Sequence, residues 1–145
     1  MENKFRSSCP IASTLDIIGD KWSLLIIRDL LLGGKKTFKE ISLSEEKIAT
    51  NILSSRLKLL ERFDLISKRK LPSNKKENIY LLTEKGIDLA PLITEIILWS
   101  DKNVRNYNPK MFSISDKGFD GEKLKVITAI KKNYREIVKE TLSDF

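Results

Sequence analysis

The stretch that decides the fold is TFKEISLSEEKIATNILSSRLKLLERFDL, residues 37–65. Thr37-Phe38-Lys39-Glu40 fits a capping box, with the Thr37 hydroxyl accepting from the Glu40 amide and the Glu40 carboxylate reaching back, so a short helix starts there. Ser44-Glu45-Glu46-Lys47 is polar and turn-like, and a second helix follows, for which Thr50 is the expected cap. Leu53, Leu57 and Leu60 recur at the i, i+4, i+7 spacing of a core-facing stripe. Asn51, Ser54, Ser55, Lys58 and Arg62 fall on the opposite face, which carries donors, acceptors and cations but no carboxylate. A helix lying in a DNA major groove presents such a face. Asn51 and Lys58 can bond base edges, and Ser54 and Ser55 can serve base or phosphate. Arg56 falls at the border of the apolar stripe, where a structural ion pair competes with a DNA contact.

The residues on either side extend this reading. After Phe63-Asp64-Leu65 the period falls from 3.6 to about 2. Residues 66–71 and 78–82 then form a hairpin around the turn Pro72-Ser73-Asn74-Lys75-Lys76-Glu77. Lys68, Arg69, Lys70, Lys75 and Lys76 stand against Glu77 alone, so the hairpin is a basic wing able to reach phosphates or the adjacent minor groove. Lys68, Lys70, Asn74, Lys75 and Lys76 are its candidate contacts. Thr37 and Lys39 join them at the amide end of the first helix, which suits a phosphate.

Upstream, Pro10 opens a helix carrying Ile11, Leu15 and Ile18. Asp20 caps a second, running to Leu32 and ended by Gly33-Gly34, in which Trp22, Leu25, Ile26, Asp29 and Leu30 face inward. Asp29 is out of place on that arc, and Arg28, Arg56 and Lys58 are its candidate partners. Downstream, Thr83 caps a helix expected over residues 84–103, with apolar positions around half its circumference, wider than one core requires. Residues 106–121 read as a break and loop, and a last helix over 120–142 aligns Leu124, Ile127, Ile130, Tyr134 and Val138. The surplus apolar faces leave two readings. The economical one is a homodimer using Ile11, Leu15, Ile93, Ile97, Leu124, Ile127, Tyr134 and Val138, and the other is that the last helix folds back on its own domain. The expected organisation is an arm at 1–8, a winged helix-turn-helix domain at 9–104, a linker at 105–119 and a dimerising helix at 120–145.

Composition narrows the function. The chain has 145 residues, 27 Lys and Arg against 20 Asp and Glu, and a net charge of +7, which favours a polyanionic partner. It contains no His and a single Cys, which removes the commonest general base, Ser-His and Cys-His pairs, an internal disulfide and an ordinary structural zinc site. No cofactor, metal or enzymatic activity is expected. Gly33-Gly34-Lys35-Lys36-Thr37 imitates a phosphate loop, but Asp29 stands where the first glycine is needed and Lys36 replaces the hydroxyl. No run approaches the ~18 apolar residues of a membrane span and the N-terminus lacks a secretory h-region, so a cytoplasmic protein is expected.

These residues resemble the HxlR-type winged-helix regulators of bacteria, within the MarR-like superfamily. The resemblance spans about residues 9–103 and rests on Cys9-Pro10, Leu15-Asp16-Ile17-Ile18-Gly19-Asp20-Lys21-Trp22, Leu30-Leu31-Leu32-Gly33, residues 48–58 (IATNILSSRLK) and Leu82-Thr83-Glu84-Lys85-Gly86. It implies a mainly α fold with a small β-hairpin and added terminal dimerisation helices. It also implies a dimeric cytoplasmic regulator that binds double-stranded operator DNA. Some relatives sense thiol-reactive compounds through a cysteine at the position of Cys9. Here Cys9 stands at or just before a helix start with Lys4 and Arg6 nearby, and both a redox sensor and a small buried hydrophobe remain open. An effector pocket at the dimer interface, a protein-binding adaptor and an RNA-binding module also stay open.

Overall fold

The computed structural model describes residues 4–143, so the first three positions of the 1–8 arm and the last two of the 120–145 segment lie outside it. The order is α1 (Pro10–Ile18), α2 (Ser23–Leu31), α3 (Phe38–Ser42), α4 (Thr50–Arg62), β1 (Ile66–Leu71), β2 (Asn74–Leu82), α5 (Glu84–Ile87), α6 (Ala90–Asn103) and α7 (Lys123–Leu142), with a 3-10 turn at Ser115–Lys117. This is the expected mainly α winged helix with one antiparallel hairpin.

Helix α2 is the central strut. Its N-cap is Trp22 rather than the expected Asp20, whose carboxylate instead accepts from the amides of Trp22 and Ser23, both at 3.0 Å, in the turn leading into it. It buries Ile26, Ile27, Leu30 and Leu31 and packs against α4, α6, α7 and β2. Gly34, at φ +66°, supplies the left-handed residue that turns the chain away from α2. The capping box at Thr37 forms as expected: the Thr37 hydroxyl accepts from the Glu40 amide at 3.1 Å and the Glu40 carboxylate accepts from the Thr37 amide at 3.0 Å.

The hairpin pairs Ile66 with Leu82 through Lys70 with Asn78, and the register shifts before Leu71 meets Asn74. The turn is therefore shorter than expected, Pro72-Ser73, and the extra residues bulge out within β2. Gly86 lets α5 lie directly on the α4–β1 connection, where a Cβ would meet the Leu65 carbonyl oxygen at 2.2 Å.

Three expectations are corrected. The helix expected over 84–103 is two helices, because Pro91 has no N–H to donate back to Ile87 at the end of α5 and instead sits in the first turn of α6, where none is needed. Ala49, not Thr50, is the N-cap of α4, and Thr50 is its first helical residue with no side-chain cap bond. The last helix begins at Lys123 and turns Val126, Ile130 and Tyr134 into the chain's own core. Tyr134 is 2% exposed, and its hydroxyl accepts from the Leu82 amide at 2.7 Å.

Candidate nucleic-acid interface

Helix α4 is held from behind by its buried leucines, Leu53, Leu57 and Leu60, so its opposite face is fixed outward by packing. On that face Thr50, Asn51, Ser55, Lys58 and Arg62 are exposed and Ser54 is half-buried. Asn51, Ser54, Ser55, Lys58 and Arg62 line one open depression along the helix. Arg56 points to the side and stands 3.7 Å from the Asp20 carboxylate, a brace between α4 and the start of α2.

The turn between α3 and α4 is fixed by charge. Arg28 bonds Asp29 and Glu46, each at 2.8 Å, and the Ser44 hydroxyl donates to the buried Asp29 carboxylate, which lies 3.7 Å from Lys35. Of the candidate partners for Asp29, Arg28 is the one used, and Lys35 completes the set. The Arg28 hydrogen bonds hold the Glu46 carboxyl at about 2, below the usual glutamate range despite partial burial. Asp20 and Glu40 are also held low: partial burial opposes the charge in each, but donated amide and hydroxyl hydrogen bonds outweigh it. Asp20, Asp29, Glu40 and Glu46 are thereby committed to cations, amides and hydroxyls, which lowers their repulsion of an incoming polyanion.

The wing extends beyond the core. Lys68, Arg69, Lys70, Asn74, Lys75 and Lys76 are all exposed, on the outer half of the hairpin. Strand alternation therefore turns none of these cations inward. Thr37 is half-buried and Lys39 exposed at the start of α3, which is linked to the wing by the Tyr80 amide donating to Lys36 oxygen at 2.7 Å. Arg62 and Arg69, on the expected face and wing though not among the candidate contacts, belong to this surface too: Arg62 lies one turn after Lys58 on the same face, and Arg69 lies between Lys68 and Lys70.

The expected dimer residues differ in burial. Ile11 and Leu15 are open on α1 at 71% and 52%, and Leu124 is open at the start of α7. Ile97, Ile127 and Val138 are half-buried. Ile93 and Tyr134, expected at an interface, are instead buried inside the chain's own core, and side chains already enclosed have no apolar surface left to bury. Helix α6 exposes Leu92, Ile96 and Trp99 instead.

Cys9 is exposed at the N-cap of α1, which overturns the buried-hydrophobe reading. Arg6 is engaged with Asp16 at 2.5 Å, and Phe5 stands edge-on to Phe63 with ring centroids 6.4 Å apart. Among the described residues no group of His, Cys, Asp and Glu is placed to hold a metal ion, and no helix is long and apolar enough to cross a membrane.

A core-anchored helix with a polar, cationic outer face, set beside a basic hairpin, defines a winged helix-turn-helix protein. Residues 17–108 match the HxlR-like helix-turn-helix family, and the chain belongs to it. It is 37% identical over 95 residues to the HTH-type transcriptional regulator YodB of Bacillus subtilis strain 168, covering 65% of this chain and 84% of YodB. The structure of reduced YodB aligns with 36% identity and a TM-score of 0.57, over 67% of this chain and 95% of that one. The redox regulator HypR in its oxidised form aligns with 30% identity and a TM-score of 0.55, over 66% and 97% of the two chains. The chain is accordingly a transcriptional regulator of the helix-turn-helix type, not an enzyme.

Proposed function

We propose that the chain acts as a homodimer that binds double-stranded operator DNA sequence-specifically, with α4 in the major groove and the β1–β2 wing on phosphates or the adjacent minor groove. The observation that carries this is the outer face of α4, where Asn51, Ser54, Ser55 and Lys58 line an open depression on a helix immobilised from behind. Asn51 and Lys58 read base edges, while Thr37, Lys39, Thr50 and the wing residues Lys68, Lys70, Asn74, Lys75 and Lys76 contact the backbone. A symmetric pair sets two α4 helices about 34–36 Å apart on a palindrome. Sequencing of the fragments bound from a genomic pool identifies the site. On that site Asn51→Ala changes base preference by about 1–3 kcal/mol, whereas Lys75→Ala weakens every sequence alike and lowers the salt slope. Salt-insensitive binding, or an unchanged preference in Asn51→Ala, would overturn the reading.

A second reading has its own observation, the exposed Cys9 thiol at the start of α1. Cys9 lies outside the matched span, but YodB has been solved in quinone-bound and diamide-treated forms as well as reduced. With one cysteine per chain, oxidation by diamide joins two Cys9 sulfurs from two chains, or Cys9 and a small thiol. Two S–H bonds break, one S–S bond forms, and diamide takes up both electrons and both protons to become the hydrazine. Diamide is expected to change operator affinity in the wild type and not in Cys9→Ser; equal affinities in all four samples would exclude a sensor.

A further inference from the structure

Between the end of α2, the α3–α4 turn and the loop that follows α6 lies a cleft of about 560 Å³, within the usual range of small-molecule sites. Its outer wall is the segment between α6 and α7, most of which lies beyond the family match. That wall is held in shape although it has little regular structure. The Arg105 guanidinium, paired with Asp101 at 2.5 Å, donates to the carbonyl oxygens of Met111 at 2.7 Å and Pro109 at 3.3 Å. Asp116 accepts from the Ser113 amide at 2.7 Å and closes the next turn.

The lining is chemically divided. Leu32, Ile97, Met111 and Phe112 supply apolar surface. Arg28, Lys35, Asp29 and Glu46 satisfy one another through the ion pairs of the α3–α4 turn, leaving two lysines against Glu45 among the lining charges. Neither Lys110 nor Lys117 has an ion-pair partner among the described residues, and the Lys117 ammonium sits 4.5 Å from the centroid of the Phe112 ring. Apolar side chains, an aromatic ring under the Lys117 ammonium and two lysines without an ion-pair partner complement an organic anion with a flat or aliphatic body.

We propose that this cleft binds a small organic carboxylate, its anionic end at Lys110 and Lys117 and its apolar body against Phe112, Met111 and Ile97, and that occupancy alters DNA affinity. The regulatory half rests on the DNA-binding reading above. Ser44 and Glu46 belong both to the cleft and to the α3–α4 turn, so a ligand against them acts on the segment that sets the spacing of α3 and α4.

The test titrates the isotope-labelled full chain with 2-naphthoate and with its neutral isostere 2-naphthamide, following backbone amides by NMR. Naphthoate should give saturable shifts at residues 97–100 and 108–112. Naphthamide should bind about tenfold more weakly, as should naphthoate to the double variant Lys110→Gln, Lys117→Gln. Both lysines are exposed, so that variant folds. Equal binding of acid and amide, shifts confined to Ile11, Leu15 and Trp99, or no saturation would overturn the site. Duplex affinity at saturating naphthoate should change at least about threefold, and an unchanged affinity would overturn the regulatory half. A chain that binds no duplex even without naphthoate fails the DNA-binding reading instead, and the NMR titration still decides the cleft.

Discussion

Helices α1 and α7 stand at opposite ends of the chain, and in the sequence they look alike: each carries an apolar stripe that the winged-helix core does not obviously need. The fold treats them oppositely. Helix α7 buries Val126, Ile130 and Tyr134 against α2 and α6 and is tied down by Arg135 to Glu84 at 2.8 Å and Lys131 to Asp88 at 3.4 Å. Helix α1 buries Ile18 alone and leaves Ile11 and Leu15 open. An apolar stripe states that a helix needs a partner without stating which one. The 20 residues of α7 span about 30 Å at 1.5 Å per residue, enough to cross the whole domain and find a partner within it. The nine residues of α1 are not.

The comparison breaks most visibly at Tyr134. Tyr134→Ala is expected to lower unfolding stability by about 3–5 kcal/mol, because it opens a cavity under α7 and leaves the Leu82 amide, which donates to Tyr134 rather than to β1, without a partner. Urea denaturation measures it as a fall in the midpoint. If the loss is under about 1 kcal/mol, α7 is not part of the core and its likeness to α1 is restored.

Much of this arrangement is legible in the residues, for a physical reason. The capping box at Thr37, the leucine stripe of α4 and the hairpin alternation are local signals, each completed within a few residues of itself. So is Pro91, which ends the helix after Ile87 although the apolar period runs through it. Partners distant in sequence leave no such signal. Tyr134 moved from a proposed interface to the core, since nothing near it in sequence reveals that Leu82, fifty-two residues earlier, has an amide to donate. The cleft beside Lys110 and Lys117 is likewise invisible in the sequence, because its walls come from α2, the α3–α4 turn and the loop after α6.

At the other end of the comparison, Leu15→Glu should leave monomer stability within about 0.5 kcal/mol of the wild type, since Leu15 packs on little of its own chain. In the proposed homodimer the same change places a carboxylate in an apolar contact. A loss of about 2–3 kcal/mol is expected, corresponding to a dimer dissociation constant roughly thirty- to a hundred-and-sixtyfold higher. Sedimentation velocity across a concentration series reads it directly. An unchanged association constant would remove α1 from the interface and shift attention to Leu92, Ile96 and Trp99 on α6.

The smallest effect separates burial from hydrogen bonding within α7. Tyr134→Phe keeps the ring in place and removes only the oxygen that accepts from Leu82, so a loss of about 1–2 kcal/mol is expected at neutral pH. It also changes the alkaline limb. Burial raises the Tyr134 hydroxyl above its ordinary value of 10, only partly offset by the Leu82 amide, which favours the phenolate. A group whose folded value is raised contributes its stability below the unfolded value and loses it as pH rises through the folded one, because the unfolded chain gives up the proton first. Wild-type stability should therefore fall more steeply above pH 10 than that of Tyr134→Phe, and the two curves should converge as pH rises. Curves that stay parallel through this range would mean that the phenol ionises as easily folded as unfolded, and that α7 covers Tyr134 less completely than its packing implies.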